Sequence, residues 1–450
     1  YTNNNGKNIL TAAVSTETSL GGDDTLTLGE GDNTAIAGQG NDTVTAGNGN
    51  DRILGDNGEI HLSTAGVIEQ ILTTDLASGG DDSITLGDGD KTVIGGSGVD
   101  TITTGSGNDD ILGDNGRIDY VAGIVTQLQT SDTDASTSGD DIIQAGDGSN
   151  RVLGGLGTDE VTTGAGNDVV LGDNGSLSYT NNNGKNILTA AVSTETTLGS
   201  DDTLTLGDGD NRAIAGQGDD TVTAGDGNDR ILGDNGELHQ DTDGVITQMI
   251  STDIGNGGAD SITLGDGGKT VIAGTGSDSV TSGSGDDTIL GDNGSITYTA
   301  GIATLLQSSD PDASTEGDDI IQAGDGHNRI LAGLGSDSVT TGSGHDVVLG
   351  DNGTLTYSNN ILIAARSTDT SLGGDDHLIL GDGDNRAIAG QGDDTVTAGD
   401  GNDRILGDNG ELHQDTDGVI TQMISTDIGN GGADSITLGD GGKTVIAGTG

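Results

Sequence analysis

The sequence predicts an all-β protein, a solenoid of short parallel strands stacked in two sheets, and three observations carry that prediction. Glycine and aspartate return every nine residues, an apolar residue follows each cluster, and the chain lacks the large side chains of a deep central core. Of 450 residues 86 are glycine, aromatics amount to 1%, and Phe, Trp and Cys are absent. A chain of this length and ordinary composition forms several domains with separate cores. Here the core is expected to be thin and repeated.

Each element follows from that repeat. Glycine at alternate loop positions permits positive φ and close backbone approach, and the run centred on the apolar residue is a minimal strand with one side chain facing inward. Gly40-Asn41-Asp42-Thr43-Val44-Thr45 and Gly107-Asn108-Asp109-Asp110-Ile111-Leu112 show the pattern. Nine residues make half a coil, so eighteen close a turn, and successive turns stack as parallel strands ~4.8 Å apart. Four consecutive nonapeptides precede each LGDNG tag, as in Gly80 to Gly116, where Asp82, Lys91, Asp100 and Asp109 are nine apart. The tags begin at Leu54, Leu112, Leu171, Leu232, Leu290, Leu349 and Leu406. The segment after a tag, such as Arg117 to Ser138, is expected to form a wider, metal-free coil that interrupts the solenoid once per block. A protruding hairpin is the second choice, because Ile118 and Tyr120 alternate before Ala122-Gly123 and the run Ile124 to Gln129.

A longer period of 178 residues is superimposed on the blocks: YTNNNGKNIL at Tyr1 returns at Tyr179, and a shortened copy starts at Tyr357. The expected organisation is a first long repeat over 1–178, with blocks ending at Gly58, Gly116 and Gly175. A second covers 179–356, with blocks ending at Gly236, Gly294 and Gly353, and a partial third covers 357–450, with a block ending at Gly410. One solenoid without true domain boundaries is anticipated. Thr221 to Gly276 and Thr395 to Gly450 match residue for residue, which favours a role for length over any unique site. The chain starts and stops inside a repeat, so both native termini are expected to lie beyond it.

The charge says what must bind. With 74 acids against 14 bases the formal charge is −60, which destabilises a compact state by self-repulsion and keeps a chain poor in aromatics disordered unaided. Folding is therefore expected to depend on a cation, with calcium the obvious candidate. The same charge argues against nucleic acid and anionic membrane surfaces, and no apolar run reaches the ~18 residues of a membrane span. The absence of cysteine fits a surface protein held by metal instead of disulfides.

The G-x-G-x-D-x-U-x pattern, with U apolar, resembles the repeats-in-toxin (RTX, haemolysin-type) calcium-binding family. The resemblance implies a right-handed parallel β-roll with many Ca2+ ions between stacked loops, bound by aspartates and loop carbonyls. Carried over by position, the ligands would be Asp24, Asp42 and Asp51, then Asp82, Asp100 and Asp109, then Asp141, Asp159 and Asp168. They continue through Asp202, Asp220, Asp229, Asp260, Asp278, Asp287, Asp319, Asp337, Asp346, Asp376, Asp394, Asp403 and Asp434. The bland alternative, acids that merely end strands in solvent, leaves like charges stacked at each step.

Loops one and three of a block share one edge of the solenoid, and loops two and four share the other. Loop two departs from the pattern, holding Asn33, Lys91, Asn150, Asn211, Lys269, Asn328, Asn385 and Lys443 at the ligand position. An ammonium there is expected to stand in for the ion, pairing with the acid of the next loop on its edge, as Lys91 with Asp109, so that this edge carries weaker or missing sites. The tag acids are placed at Asp56, Asp114, Asp173, Asp234, position 291, Asp351 and Asp408. They either close the ion row or belong to a type I′ turn of the Asp/Asn-Gly kind.

Outward positions of the first sheet are rich in Thr, as at Thr25, Thr27, Thr43, Thr45, Thr101 and Thr103. Ile142, Gln144 and Glu160 interrupt that array, which weakens an ice-binding reading and leaves Thr as an ordinary exposed strand residue. The second sheet turns Ile36, Leu54, Ile94, Leu112, Leu153 and Leu171 outward. Either the inserted segments cover this stripe or a second copy packs on it in self-association. His61, His239, His327, His345, His377 and His413 are scattered, and the G-x-G strings continue to Asp without a third glycine or a helix, so no catalytic site is expected. The leading expectation is a secreted or cell-surface bacterial structural repeat, the stalk of an adhesin or the shaft of a filament. The alternatives are the calcium-binding carrier region of a secreted toxin or enzyme, and a surface-layer or biofilm matrix protein.

Overall fold

In a computed structural model, residues 1–4, 7–16, 18–134, 137, 139–308, 317–426, 429 and 431–448 are described. Ser138 and Gly450, which bound segments of the sequence reading, lie outside them. The chain divides into two compact units, residues 1–217 with 239–244, and residues 218–238 with 245–450. Both are built from β-strands, and the described residues contain no α-helix.

In the first unit the nonapeptides alternate between two parallel sheets. The first sheet holds Thr25–Thr27, Thr43–Ala46, Ser83–Leu86, Thr101–Thr103, Ile142–Gln144, Glu160–Thr162 and Thr203–Leu206. Its register steps by one coil, Thr25 on Thr43 and Ser83 on Thr101, which is eighteen residues within a block. The second sheet holds Thr34–Ile36, Arg52–Leu54, Thr92–Gly96, Asp110–Asp114, Arg151–Gly155, Val169–Asp173 and Arg212–Gly216. The second unit repeats both patterns, from Thr221–Ala224 to Ser435–Leu438 and from Arg230–Asp234 to Thr444–Ile446.

Alternation places one side chain per short strand inside the coil. Val44, Ile84, Ile102, Ile143 and Val161 of the first sheet and Ile53, Val93, Ile111, Val152 and Val170 of the second are fully buried. The thin, repeated core anticipated from composition is this pair of ranks.

The inserted segments differ from the wider coil expected of them. They form antiparallel hairpins, Gly58–Leu62 with Ile68–Thr73, Gly116–Val121 with Ile124–Thr130, and Gly175–Asn182 with Lys185–Ser193. Each hairpin pairs with the next one, Ile71 opposite Ile118 and Leu128 opposite Leu177, which makes a third, antiparallel sheet. Type I′ tips need φ > 0 at both central residues. Ala122 and Gly123 (54° and 78°) and Asn183 and Gly184 (54° and 85°) supply it. A hairpin wins over a coil because Ile60, Ile71, Ile118 and Leu128 are buried on one face of the arms, and each arm finds ladder partners in its own hairpin and in the neighbouring one.

This third sheet decides the fate of the Ile/Leu stripe. Leu54, Ile94, Leu112 and Leu153 are 0% exposed and Leu171 is 2% exposed, because the second sheet is covered on its outer face by the hairpins. The final glycine of the tag lets them dock: a Cβ on Gly58 would stand 2.1 Å from Leu54 Cδ2, and one on Gly116 2.2 Å from Leu112 Cδ2. Self-association through the stripe is thereby corrected, since apart from Ile36, which is half-buried in the first coil, its apolar surface is already spent within the chain.

Candidate metal centres

Loop three sits where the chain passes from the second sheet into the first, loop one where it passes from an inserted hairpin into the first, and each ends on an aspartate immediately before a first-sheet strand. The strand ladder fixes the aspartates one above another. In the first unit the Asp24 amide donates to Asp42 Oδ1 at 2.6 Å, Asp42 to Asp82 at 2.7 Å, and Asp82 to Asp100 at 2.7 Å. The ladder goes on from Asp100 to Asp141, Asp159 and Asp202 at 2.7–2.8 Å. In the second unit it runs from Asp220 through Asp260, Asp278, Asp319, Asp337, Asp376 and Asp394 to Asp434.

Each carboxylate after the exposed Asp24 thus spends one oxygen on the ladder. The other has nothing: Oδ2 of Asp42, Asp82, Asp100, Asp141 and Asp159 is buried without a hydrogen-bond partner, and so is Oδ2 of Asp260, Asp278, Asp319, Asp337, Asp376, Asp394 and Asp434. A buried carboxylate oxygen left unpaired is costly. A column of them is a demand for cations.

The tag acids join this edge. Neither Asn57 nor Gly58 adopts positive φ, which removes the type I′ reading of the tag. Asp56 Oδ2 accepts the Ser97 amide at 2.6 Å, and Asp114 Oδ2 accepts that of Leu156 at 2.6 Å. Asp173, Asp234 and Asp351 hold the amides of Gln217, Thr275 and Gln391 in the same way. The placement of a tag acid at position 291 is corrected. The fifth tag reads Leu290-Gly291-Asp292-Asn293-Gly294, so that position is Gly291 and the acid is Asp292. No acid fits at 291, because a Cβ on Gly291 would stand 2.2 Å from both Asp319 Oδ2 and Ala332 O. Asp292 takes the equivalent place and holds the Leu334 amide. Asp408 presses against Gly431 and Gly448. Oδ1 of Asp56, Asp114 and Asp351 has no partner.

Electrostatics follow from this crowding. Burial, with Asp82 nearby, pushes Asp56 up to about 8, and burial with Asp42 nearby pushes Asp82 up to about 7. Burial and the charges of Asp141 and Asp82 hold Asp100 well above the carboxylate range. Desolvation likewise lifts Asp159 to about 7 and Asp278 to about 8. Without a cation these groups take up protons.

The second edge is different. Asp51, Asp109, Asp168, Asp229, Asp287, Asp346 and Asp403 are all buried there, and their ladder partners are the loop-two residues: the Lys91 amide meets Asp109 Oδ1 at 2.8 Å and the Asn150 amide meets Asp168 Oδ1 at 2.7 Å. The Lys91 ammonium goes to Asp51 of the preceding coil, 3.0 Å away, and not to Asp109 as the sequence suggested. Side chains lean back along the stack, so an acid meets the cation of the following coil. Hydroxyls five residues earlier close other acids, Thr104 on Asp109, Ser282 on Asp287 and Thr341 on Asp346, at 2.5–2.7 Å. The sequence reading missed these hydroxyls, although the five-residue spacing recurs.

A family model for the RTX calcium-binding nonapeptide repeat, in four copies, matches residues 27–59, 87–117, 136–176, 199–237, 270–295, 314–353 and 379–411. The chain belongs to this RTX repeat family. No curated protein matches it. RTX nonapeptides are calcium-binding repeats, and the orphaned Oδ2 atoms of the loop-one and loop-three edge suit that ion. Among the described residues no three acidic or histidine side chains form a ready metal cluster, so loop carbonyl oxygens would complete the six to eight ligands of Ca2+. Bound there, the ion supplies positive charge to carboxylates that the ladder holds in place.

Proposed function

We propose that this chain is a calcium-stiffened structural segment of an extracellular bacterial protein, the stalk of a surface adhesin or the shaft of a filament, with no catalytic role. The observation that carries the reading is the column of buried, half-satisfied aspartates, repeated at each coil with no departure that would mark a unique site. At neutral pH such a column folds fully only where divalent cations are plentiful, and the weak end of the calcium affinity range suits the outside of a cell. Near-identical long repeats add length without adding new chemistry, which is what a stalk or shaft requires.

Circular dichroism titrated with calcium and then with a chelator tests the calcium half of the reading. A coil-to-β transition that reverses on chelation is expected, and full order in metal-stripped buffer would end the proposal. Antibody labelling of intact cells that carry the gene tests the other half: labelling without permeabilisation is expected.

A further inference from the structure

Three of the five lysines stand at the same place in the repeat, the ligand position of loop two. Lys91 and Lys269 are among the largest fully buried side chains of the described residues. A buried ammonium survives only with close anionic and carbonyl partners, and these lysines have them. Lys91 Nζ donates to Asp51 Oδ2 at 3.0 Å, to Asp88 O at 2.9 Å and to Gly49 O. Lys269 Nζ donates to Asp229 Oδ2 at 2.7 Å, Gly227 O at 2.8 Å and Gly225 O at 3.0 Å. Lys443 Nζ repeats the arrangement with Asp403 Oδ2 at 2.5 Å and Gly399 O at 2.9 Å.

One carboxylate oxygen from a loop acid and carbonyl oxygens from glycines two or four residues before it are the donor set of a calcium loop, gathered here around a nitrogen. Where loop two carries asparagine, the amide takes a glycine carbonyl of its own loop: Asn150 Nδ2 on Gly146 O at 2.8 Å, Asn328 Nδ2 on Gly324 O at 3.0 Å, and Asn385 Nδ2 on Gly381 O at 2.8 Å. Acids of the fourth loops turn to Thr104, Ser282 and Thr341. On this edge the ligands are already taken; on the opposite edge they are orphaned.

We propose that the ammonium groups of Lys91, Lys269 and Lys443 are the permanent cations of the loop-two and loop-four edge, held in the place of calcium, so that metal loads the loop-one and loop-three edge. Asp168, the fourth-loop acid of the third block, is held by the Asn150 amide and faces the Thr163 hydroxyl five residues before it. The inference rests on the calcium reading above and adds to it which half of the repeats respond.

The test uses the whole wild-type chain in saturating calcium, acetylated with an amine-reactive ester and followed by mass spectrometry. Lys91 and Lys269 should react at least about tenfold more slowly than exposed Lys185, since labelling needs local opening. If they react as fast as Lys185, calcium has displaced them and the proposal falls. A second arm counts bound calcium in the wild type and in Lys91→Asp, which restores the acid of the repeat pattern. A higher count in the variant is expected, and an unchanged count overturns the assignment. Failure of the calcium reading itself looks different: no metal bound at all, with Lys91 protection equal before and after chelation.

Discussion

Asp100 divides its two oxygens between order and instability. Oδ1 holds the Asp82 amide at 2.7 Å, while Oδ2 is buried with no partner. Replacing it by asparagine keeps an acceptor for the ladder and removes the buried charge. Asp100→Asn is therefore expected to stabilise the metal-free chain by about 1–3 kcal/mol and to weaken calcium binding, so that the residual β signal in chelator rises while the calcium midpoint of folding moves to higher concentration. The acids as a set predict a pH dependence. Their unfolded value is 3.8, and Asp82 and Asp159 are raised to about 7 and Asp56 and Asp278 to about 8 in the fold. Between those limits the folded chain binds more protons than the unfolded one, so metal-free stability is greatest below about pH 4 and falls as pH rises towards 8. The β content in chelator at pH 4, 6 and 8 reads this directly, and is expected to be largest at pH 4. Calcium binding near pH 6 should release protons, seen as a dependence of calorimetric heat on the buffer's ionisation enthalpy. The aspartates of the buried column could be named from the repeat alone, because a nine-residue period fixes which residue follows each glycine pair. Which oxygen of each is orphaned could not, since that depends on a hydrogen bond from a coil 18 to 43 residues away.

At the scale of elements, the hairpins carry the part of the fold that was least legible. Ile118, Leu128 and Leu177 lie in register across three successive strands and are all 0% exposed. Leu128→Ala is expected to cost about 2–5 kcal/mol, read as a lower urea midpoint in saturating calcium with the calcium count unchanged. Gly116→Ala attacks the same interface from the other side, because the new Cβ would stand 2.2 Å from Leu112 Cδ2 and 2.4 Å from Gln129 O. Its cost should be about 1–3 kcal/mol. The alternation of Ile118 and Tyr120 was visible in the sequence and pointed to strands. It did not say whether two arms close on each other or wind on as a coil, since roughly twenty residues suit either, and only the neighbouring hairpins, forty or more residues away, tip the balance.

For the molecule as a whole, each coil touches chiefly the coils beside it, so stability is a sum of local terms. A chain that starts at Tyr179 is expected to keep the calcium-induced β signal per residue of the full chain, and a large loss would show that distant repeats support one another. The sequence by itself determined the all-β class, the parallel pairing at eighteen-residue steps and the calcium-binding repeat family, because each of these is set by a short period. Tertiary structure decided the rest: that the apolar stripe lies under a third sheet, that Lys91 answers to Asp51, and that the two edges differ in what they lack. Those outcomes depend on which coil a side chain leans towards, and a one-dimensional repeat does not encode direction along the stack.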